Sequence, residues 1–430
     1  MKESFLLALR AFMRGRVALL LLVAVGLIHW LMPDFVRSDG TASGILEMHV
    51  RIVPGFAAAV ILLTVLSTSC GMFARERELK RLSLTLVRPA SAWGVVCGKW
   101  LATTVLAAAA IALSSVLVLA MPPALPGQAG VPPCRHHYEP TLPPPAVVAG
   151  HILGGYLRDP ATPEAVRKAP KRAVLALLTT KEMDRYDVVK PGETMVWPFD
   201  VPRLKRQMEE GAELTLRVRF STQFELRTPV AGILTLGDMS AVVSNSTQAV
   251  IEIPLARTGK GDGVPSPLNL TFANTGRSAV MIRPRRDLVV LAPADSFAWN
   301  LLRSQIEVWS LAAMLAAYGL FLSAALSRPV ALFTALVSLA VVLMAPSVVA
   351  QFPDEFNASF ADRFGLWLSR AVQSATHSVS APSPITDLAT GRAIEGAELL
   401  RTLAGNVLLL PGMLLSLAAF IVRRKPFADG

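Results

Sequence analysis

Apolar residues fall along this chain in long blocks rather than in short alternating runs. Six blocks approach the roughly 20 residues that a helix needs to cross a bilayer. They cover 17–32, 53–73, 100–121, 306–326, 330–350 and 403–422. His29 interrupts the first near its end, and Pro54 opens the second. Between the third and fourth blocks the period changes to two. The stretch ELTLRVRFS (213–221) alternates apolar and polar residues, as a half-buried strand does. QAVIEIPLA (248–256), LNLTFAN (268–274), SAVMIRP (278–284) and DLVVLAP (287–293) follow, separated by Gly, Pro and Asn clusters. Several short strands at that spacing predict an antiparallel sandwich. A helix is also expected within 163–186. The pattern therefore predicts an α-helical polytopic membrane protein with six transmembrane helices and an inserted, mainly-β, sandwich-like extracytoplasmic domain. Its divisions are 1–121, 122–299 and 300–430.

Composition supports a membrane class. Of 430 residues 53% are hydrophobic and 17% charged, with a mean hydropathy of +0.48. Soluble domains carry about 25% charged residues. The net charge of +11 raises the question of nucleic acid, and the placement of the basic residues answers it. Fourteen Lys and Arg lie in the tails and loops on one side of the six crossings, among them Lys2, Arg16, Arg75, Arg81, Arg328 and Lys425. Six lie in the short loops of the other side: Arg37, Arg51, Arg363, Arg370, Arg392 and Arg401. Cytoplasmic loops carry the excess of positive charge. The bias predicts both termini in the cytoplasm of a multi-pass protein of the cell (inner) membrane, with the lipid bilayer and not nucleic acid as the partner of these charges. FLLALRAF (5–12) either lies along the interface as an amphipathic helix or lengthens the first span.

Chemistry-bearing patterns are sparse. Cys70, Cys97 and Cys134 offer no disulfide framework. CRHH (134–137), in a Pro-rich leader read as an extended stalk, reads as solvated rather than metal-binding. RPRRD (283–287) reads as a solvated hairpin turn rather than an anion site. Paired carboxylates, GxSxG and HExxH are missing from the sequence. TGKGDG (258–263) lacks the spacing of a phosphate-binding loop. No catalytic residue, metal or cofactor is expected. His29, Glu307 and Asn406 are polar groups near span ends, and the sequence leaves open whether they line a pathway. FAWNLLRSQIEVW (297–309), with Trp299 and Trp309, is expected along the outer surface ahead of the fourth span. RFGLWLSRAVQ (363–373) is expected as a short re-entrant or surface helix, and SRPVA (327–331) as a tight turn.

The segment RERELKRLSLTLVRPASAWGVVCGK (75–99) is the most patterned polar stretch. Its first half is mixed in charge and helix-prone. Arg88 and Pro89 break it, because proline disfavours helix at the residue before it. Ser91 is placed to cap a second helix running through Gly98 and Lys99 into the third span. The result is a cytoplasmic helix–break–helix elbow. In this it resembles the permease subunits of type-2, export-class ABC transporters, whose segment between the second and third spans reads roughly E-x-G-T-L-x-x-L-L-x-R-P-[VA]-S and then G-K. Glu78, Leu82, Leu86, Arg88, Pro89, Ser91, Gly98 and Lys99 match in order. Lys80 and Arg81 replace the family's Gly-Thr. The six-span layout and the outer insertion fit as well. The resemblance implies that the elbow docks on a separate ABC ATPase subunit, which hydrolyses the ATP. Glu76 and Glu78 would offer salt bridges to it. It also implies a homodimer or heterodimer of permeases, working either in export or in moving the extracytoplasmic domain. The reading from a different class is a membrane-anchored extracytoplasmic ligand-binding or sensor module without transport.

Overall fold

A computed structural model describes residues 1–35, 45, 48–78, 91–121, 134–168, 171–222, 229–246, 250–257, 267–351, 364–365, 367 and 384–424. The chain forms two compact units. One comprises Met1–Cys134, Asp295–Val348 and Leu368–Gly430; the other comprises Arg135–Ala294 and Val349–Trp367.

The first unit is helical. Helix α1 (Lys2–Arg14) is followed by α2 (Val17–Phe35), and the pair is bent by 60°. The bend falls at Gly15-Arg16, where Arg16 takes a left-handed φ of 58°. FLLALRAF thus lies in a helix of its own, bent away from the apolar block that follows it. A π-helical turn (Met48–Ile52) leads into α3 (Val53–Glu78), and α4 covers Ala92–Ala120. Helices α9 (Phe297–Ala325) and α10 (Arg328–Gln351) are joined by a tight two-residue turn at Leu326-Ser327; of the SRPVA expected as the turn, Arg328–Ala331 instead open α10. The short helices α11 (Pro384–Ala389) and α12 (Gly396–Leu403) precede a π-helical segment (Ala404–Leu409) and α13 (Leu410–Arg424).

Among the described residues, four helices are long and apolar enough to cross a membrane: Met48–Glu78, Ala92–Ala120, Phe297–Ala325 and Gly396–Arg424. The bent α1–α2 pair makes a fifth if it is one span. In α10 the stretch Arg328–Met344 is apolar but shorter. The described helices therefore supply four to five crossings, against the six expected from hydropathy. At 1.5 Å per residue a 29-residue helix is about 43 Å long, well beyond the ~30 Å hydrocarbon core. The ends of α3, α4 and α9 accordingly have length to project beyond the apolar slab.

Small residues set the helix spacing. A Cβ on Gly319 of α9 would lie 2.7 Å from Ser69 Cβ and 3.2 Å from the Cys70 amide on α3. Only glycine permits so close an approach, the usual device where helices pack without a hydrophobic driving force. Trp309 Nε1 donates to Thr104 O at 3.1 Å, tying α9 to α4. FAWNLLRSQIEVW is therefore the first three turns of α9 rather than a separate surface segment.

The second unit is mainly β. It contains β1 (Arg135–Tyr138), helices α5 (Pro145–Arg158), α6 (Glu164–Arg167) and α7 (Lys171–Met183), then β2 (Asp187–Val189) and β3 (Thr194–Pro198). Helix α8 (Pro202–Glu209) leads to β4 (Leu214–Arg219), β5 (Ser221–Thr222), β6 (Pro229–Leu236), β7 (Met239–Ser246) and β8 (Val250–Arg257). Strands β9 (Asn269–Asn274), β10 (Val280–Ile282) and β11 (Leu288–Pro293) complete it. An eight-stranded sheet runs β1-β11-β4-β8-β7-β6-β9-β3, and a three-stranded one runs β2-β10-β5, with every pairing antiparallel. One core takes Trp197, Phe199, Leu216, Leu234, Phe272 and Val290 from the large sheet and its flanks, and Val189 and Ile282 from the small one. The large sheet must curl to bring strands so far apart in its order onto one core.

The strands around 213–221, 248–256, 268–274, 278–284 and 287–293 fall where alternation puts them. The β6–β7 hairpin escaped because VAGILTLGDMSAVVS is apolar on both faces. Its turn is legible in retrospect. Gly237 carries φ of 60° at the first position of a two-residue loop, where a type II′ turn demands glycine. CRHH is not a solvated stalk: Arg135–Tyr138 pairs with β11, and Cys134 is buried. RPRRD does form the turn between β10 and β11, closed by Arg283 on Asp287 at 2.8 Å.

Candidate functional site

The elbow joins α3 to α4. Helix α3 continues five residues past the expected span end at Phe73 and carries Arg75-Glu76-Arg77-Glu78 as its last turn. Glu78 is exposed. Leu82, Leu86, Arg88 and Pro89 lie outside the described residues. Ser91 is the N-cap of α4, its hydroxyl accepting from the Gly94 amide at 3.0 Å. This satisfies one of the donors that a helix start leaves orphaned. Helix α4 starts at Ala92, eight residues ahead of the apolar block that opens at Trp100, and carries Gly98 and Lys99 in that extension.

Lys99 does not lie in solvent. It is 6% exposed, and its ammonium meets Glu76 Oε1 at 2.6 Å. The Phe73 ring lies 4.6 Å from the same nitrogen. A desolvated ammonium over an aromatic face gains about 2 kcal/mol beyond its ion pair. Glu76 was expected to reach a partner protein, and its Oε1 is instead committed to Lys99. Glu78 is left as the exposed acid of the pair. The other oxygen of Glu76, Oε2, is buried without a hydrogen-bond partner.

Arg77 turns to α9. Its guanidinium donates to Ser323 O at 2.7 Å, to Ala324 O at 3.0 Å and to Leu326 O. The last carbonyls of a helix have no partners within it, and a cation there also meets the negative end of the dipole. Arg77 thus caps the C-terminus of α9 from outside the helix. Ser323 Oγ returns the contact, accepting from the Phe73 amide at 2.9 Å and the Ala74 amide at 3.1 Å. Arg328, the first residue of α10, lies over Gly71, whose Cβ would stand 3.4 Å from its Nε.

Gly98 has a separate role. A Cβ there would lie 2.8 Å from Met1 O, 2.9 Å from the Phe5 amide and 2.9 Å from Ser4 Cβ. The missing side chain lets the start of α1 seat directly on α4. The Gly-Lys pair of the motif therefore binds two different elements, α1 through Gly98 and α3 through Lys99.

The last turn of α3 is fastened on two sides, by an ion pair to α4 and by a guanidinium fork to α9. Arg77, Phe73 and Ser323 were not foreseen in this role. One signal was available: an Arg just past the end of one apolar block and a Ser near the end of another, in a protein where polar groups facing other helices need partners. The sequence does not say which helix ends adjoin.

The polar residues near span ends divide. His29 is a satisfied core residue, with Nδ1 at 2.9 Å from Val25 O and Nε2 at 3.2 Å from Ser114 Oγ. Glu307 and Asn406 belong to a second polar cluster at the Phe297 end of α9. Among the described residues no group of three or more His, Cys, Asp or Glu could hold a metal ion. No protein-family model, curated protein or solved structure matches the chain.

Proposed function

We propose that this chain is the permease subunit of a type-2, export-class ABC transporter. It has six spans and both termini in the cytoplasm, it dimerises, and it takes its energy from separate ATPase chains in the cell membrane. The observation that carries the reading is the fastening of the elbow's first turn to α4 and α9. A coupling element must convert a push from outside the bilayer into movement of helices within it. A freely jointed loop dissipates such a push. Here a load applied to the elbow enters α3 directly. It reaches α4 through Glu76–Lys99 and α9 through Arg77. The exposed Glu78 and Arg75 remain for a partner. ATP hydrolysis falls to that partner, since the chain carries no Walker A sequence. The work done is export of a cargo or movement of the β unit on the opposite side of the membrane.

The test is co-expression with the ATPase encoded beside this chain, followed by purification through a tag on the permease. One ATPase per permease chain is expected, lost in Glu78→Arg and in Arg88→Glu. If no ATPase is recovered and the elbow substitutions change nothing, the reading fails. The β unit then becomes the place to look, as a ligand-binding module on a membrane anchor.

A further inference from the structure

A second polar cluster lies on one face of α9 near its Phe297 end, in the helical unit but away from the elbow. Two contacts fix that face against the segment that follows α11. Asn300 Nδ2 donates to Arg392 O at 2.9 Å, and its Oδ1 accepts from the Ile394 amide at 2.9 Å. Arg303 donates to Ile394 O at 3.0 Å and is neutralised by Asp295 at 2.9 Å. Further along the same face the π-helical segment Ala404–Leu409 packs in. Its Asn406 donates to Ser310 Oγ at 3.2 Å, and Ser310 in turn donates to Glu307 O at 2.7 Å. At helical spacing, Asn300, Ser304 and Glu307 stack on the face these bonds define.

Three features of this face are unbalanced. Ser304 is wholly buried and Asn406 is 1% exposed, yet Ser304 Oγ and Asn406 Oδ1 have no hydrogen-bond partner. A buried polar atom left unmade costs about 1–3 kcal/mol, and such atoms call for an explanation. The charge is unbalanced too. Glu398, Asp387 and Arg392 all act on Glu307, so that three carboxylates share one guanidinium. Arg392 reaches Asp387 only at 3.7 Å and Glu398 only at 3.8 Å, longer than a close pair. Burial and the nearby Glu398 raise the Asp387 carboxyl above its ordinary value despite Arg392. Finally, Asn406 sits on a π-helical turn, a feature found disproportionately at functional sites. The carboxylate side of the cluster opens to the surface, where Glu307 is only half-buried and Glu398 is half exposed.

We propose that this face binds a primary ammonium group, with Glu307, Asp387 and Glu398 supplying the countercharge and Ser304 and Asn406 the neutral acceptors. An ammonium brings the charge that the carboxylates lack. It also brings three donors for acceptors that have none. A metal ion fits less well, since the three carboxylates are spread too widely to ligate one ion together; an ammonium needs them only as a surrounding negative field, its donors being met by the neutral acceptors. A quaternary ammonium would supply charge without donors and leave the two buried oxygens unmet. The proposal does not rest on the permease reading: binding is measurable without an ATPase. Loss of either reading leaves the other standing.

The test uses the full chain in lipid nanodiscs, titrated with putrescine and followed by calorimetry. Tetramethylammonium and Ca²⁺ serve as competitors. Saturable putrescine binding is expected, weakened at least about tenfold in both Glu307→Gln and Asn406→Leu, with neither competitor displacing it. Asp387→Asn, on a different helix, is expected to weaken it as well, and it decides the matter if the α9 or π-turn variant loses its gel-filtration profile. Absence of saturable binding in the unaltered chain overturns the proposal. So does unchanged binding in a folded Glu307→Gln or Asp387→Asn variant. Displacement by Ca²⁺ or by tetramethylammonium as effective as by putrescine itself overturns the choice of a donor-bearing organic cation.

Discussion

At the scale of single residues, the decisive feature is where charge is buried. Lys99 counts in the sequence as one more positive charge of a cytoplasmic loop. The fold places it inside the helical unit, 6% exposed, against Glu76 and Phe73. No sequence pattern announces this, because a lysine beside a span reads the same whether it points to water or to another helix. Removing one partner of a buried pair leaves the other uncompensated, at about 3–5 kcal/mol. Glu76 keeps 32% of its side chain exposed, so water relieves part of that cost. Lys99→Ala is therefore expected to destabilise the detergent-solubilised chain by about 1–3 kcal/mol, and Glu76→Gln by less. The Glu76→Gln, Lys99→Met double variant should recover stability relative to Lys99→Ala. Thermal unfolding of the set would check this, and equal losses in all three would argue against a coupled pair. Glu252 gives a second test of charge. Burial acts to raise its carboxyl, but Arg217 at 2.7 Å and Arg135 at 2.6 Å outweigh it and hold it below the ordinary carboxylate value. A carboxylate with a depressed folded value stabilises above its unfolded value. That contribution is lost as pH falls through the folded one. Below about pH 4.5 the wild-type chain should thus lose up to ~1 kcal/mol that Glu252→Gln never had. Acid unfolding of the two side by side reads the difference, and parallel curves would remove the pair from the stability account. Cys134 is a third case. Burial first, and Asp295 with it, pushes its thiol up to about 11. In a Cys70→Ser, Cys97→Ser background, its alkylation at pH 8 should be far slower than that of an ordinary cysteine, rising steeply above pH 10. Labelling at the rate of a free thiol would contradict the burial.

At the scale of elements, period and punctuation made much of the fold legible. Among the described residues, the apolar blocks located each helix long and apolar enough to cross a membrane, and alternation located five of the strands. Their ends were less legible. Helix α9 begins at Phe297 rather than Ile306, because Asn300 and Arg303, bonded to the segment after α11, depress hydropathy without ending the helix, whereas α4 begins at Ala92, where the Ser91 cap puts it. The elbow motif was read as a helix break followed by a cap at Ser91, and the cap is present. What the motif's glycine does was not legible, since it depends on α1 lying against α4. A prediction belongs here. Gly98→Val places a branched side chain where Met1 O, the Phe5 amide and Ser4 already stand within 3 Å of the Cβ. Backbone atoms cannot rotate away as a flexible side chain would, so α1 must move. Cysteines introduced at Phe5 or Phe12 should then react faster with a water-soluble maleimide by about an order of magnitude. Gly98→Ala is expected to show the same effect more weakly. Unchanged labelling in Gly98→Val would mean that α1 does not depend on this seat.

At the scale of the whole molecule, hydropathy and charge bias yield an architecture that local contacts cannot supply. The described helices give four to five crossings. The positive-inside rule, applied to six, assigns both tails and the elbow to one side and the β unit to the other. The count matters because it sets the parity: an even number returns the C-terminus to the side of the N-terminus, and an odd number does not. With the bent α1–α2 pair crossing as one span, helix α10 decides it. Its Arg328 end is fixed beside Gly71 at the same end of the bundle as the elbow, while its apolar stretch Arg328–Met344 is shorter than a full span. Alkaline phosphatase and green fluorescent protein report opposite sides of a bacterial membrane, since the first is active only outside and the second only within. If α10 crosses, fusions after Arg424 should fluoresce, as should fusions after Glu78. Fusions within the β unit, after Arg257, should show phosphatase activity. A fluorescent Glu78 fusion with a phosphatase-active Arg424 fusion would leave α10 as a helix that does not cross. It would remove the even parity on which two cytoplasmic tails, and a symmetric dock for an ATPase, depend.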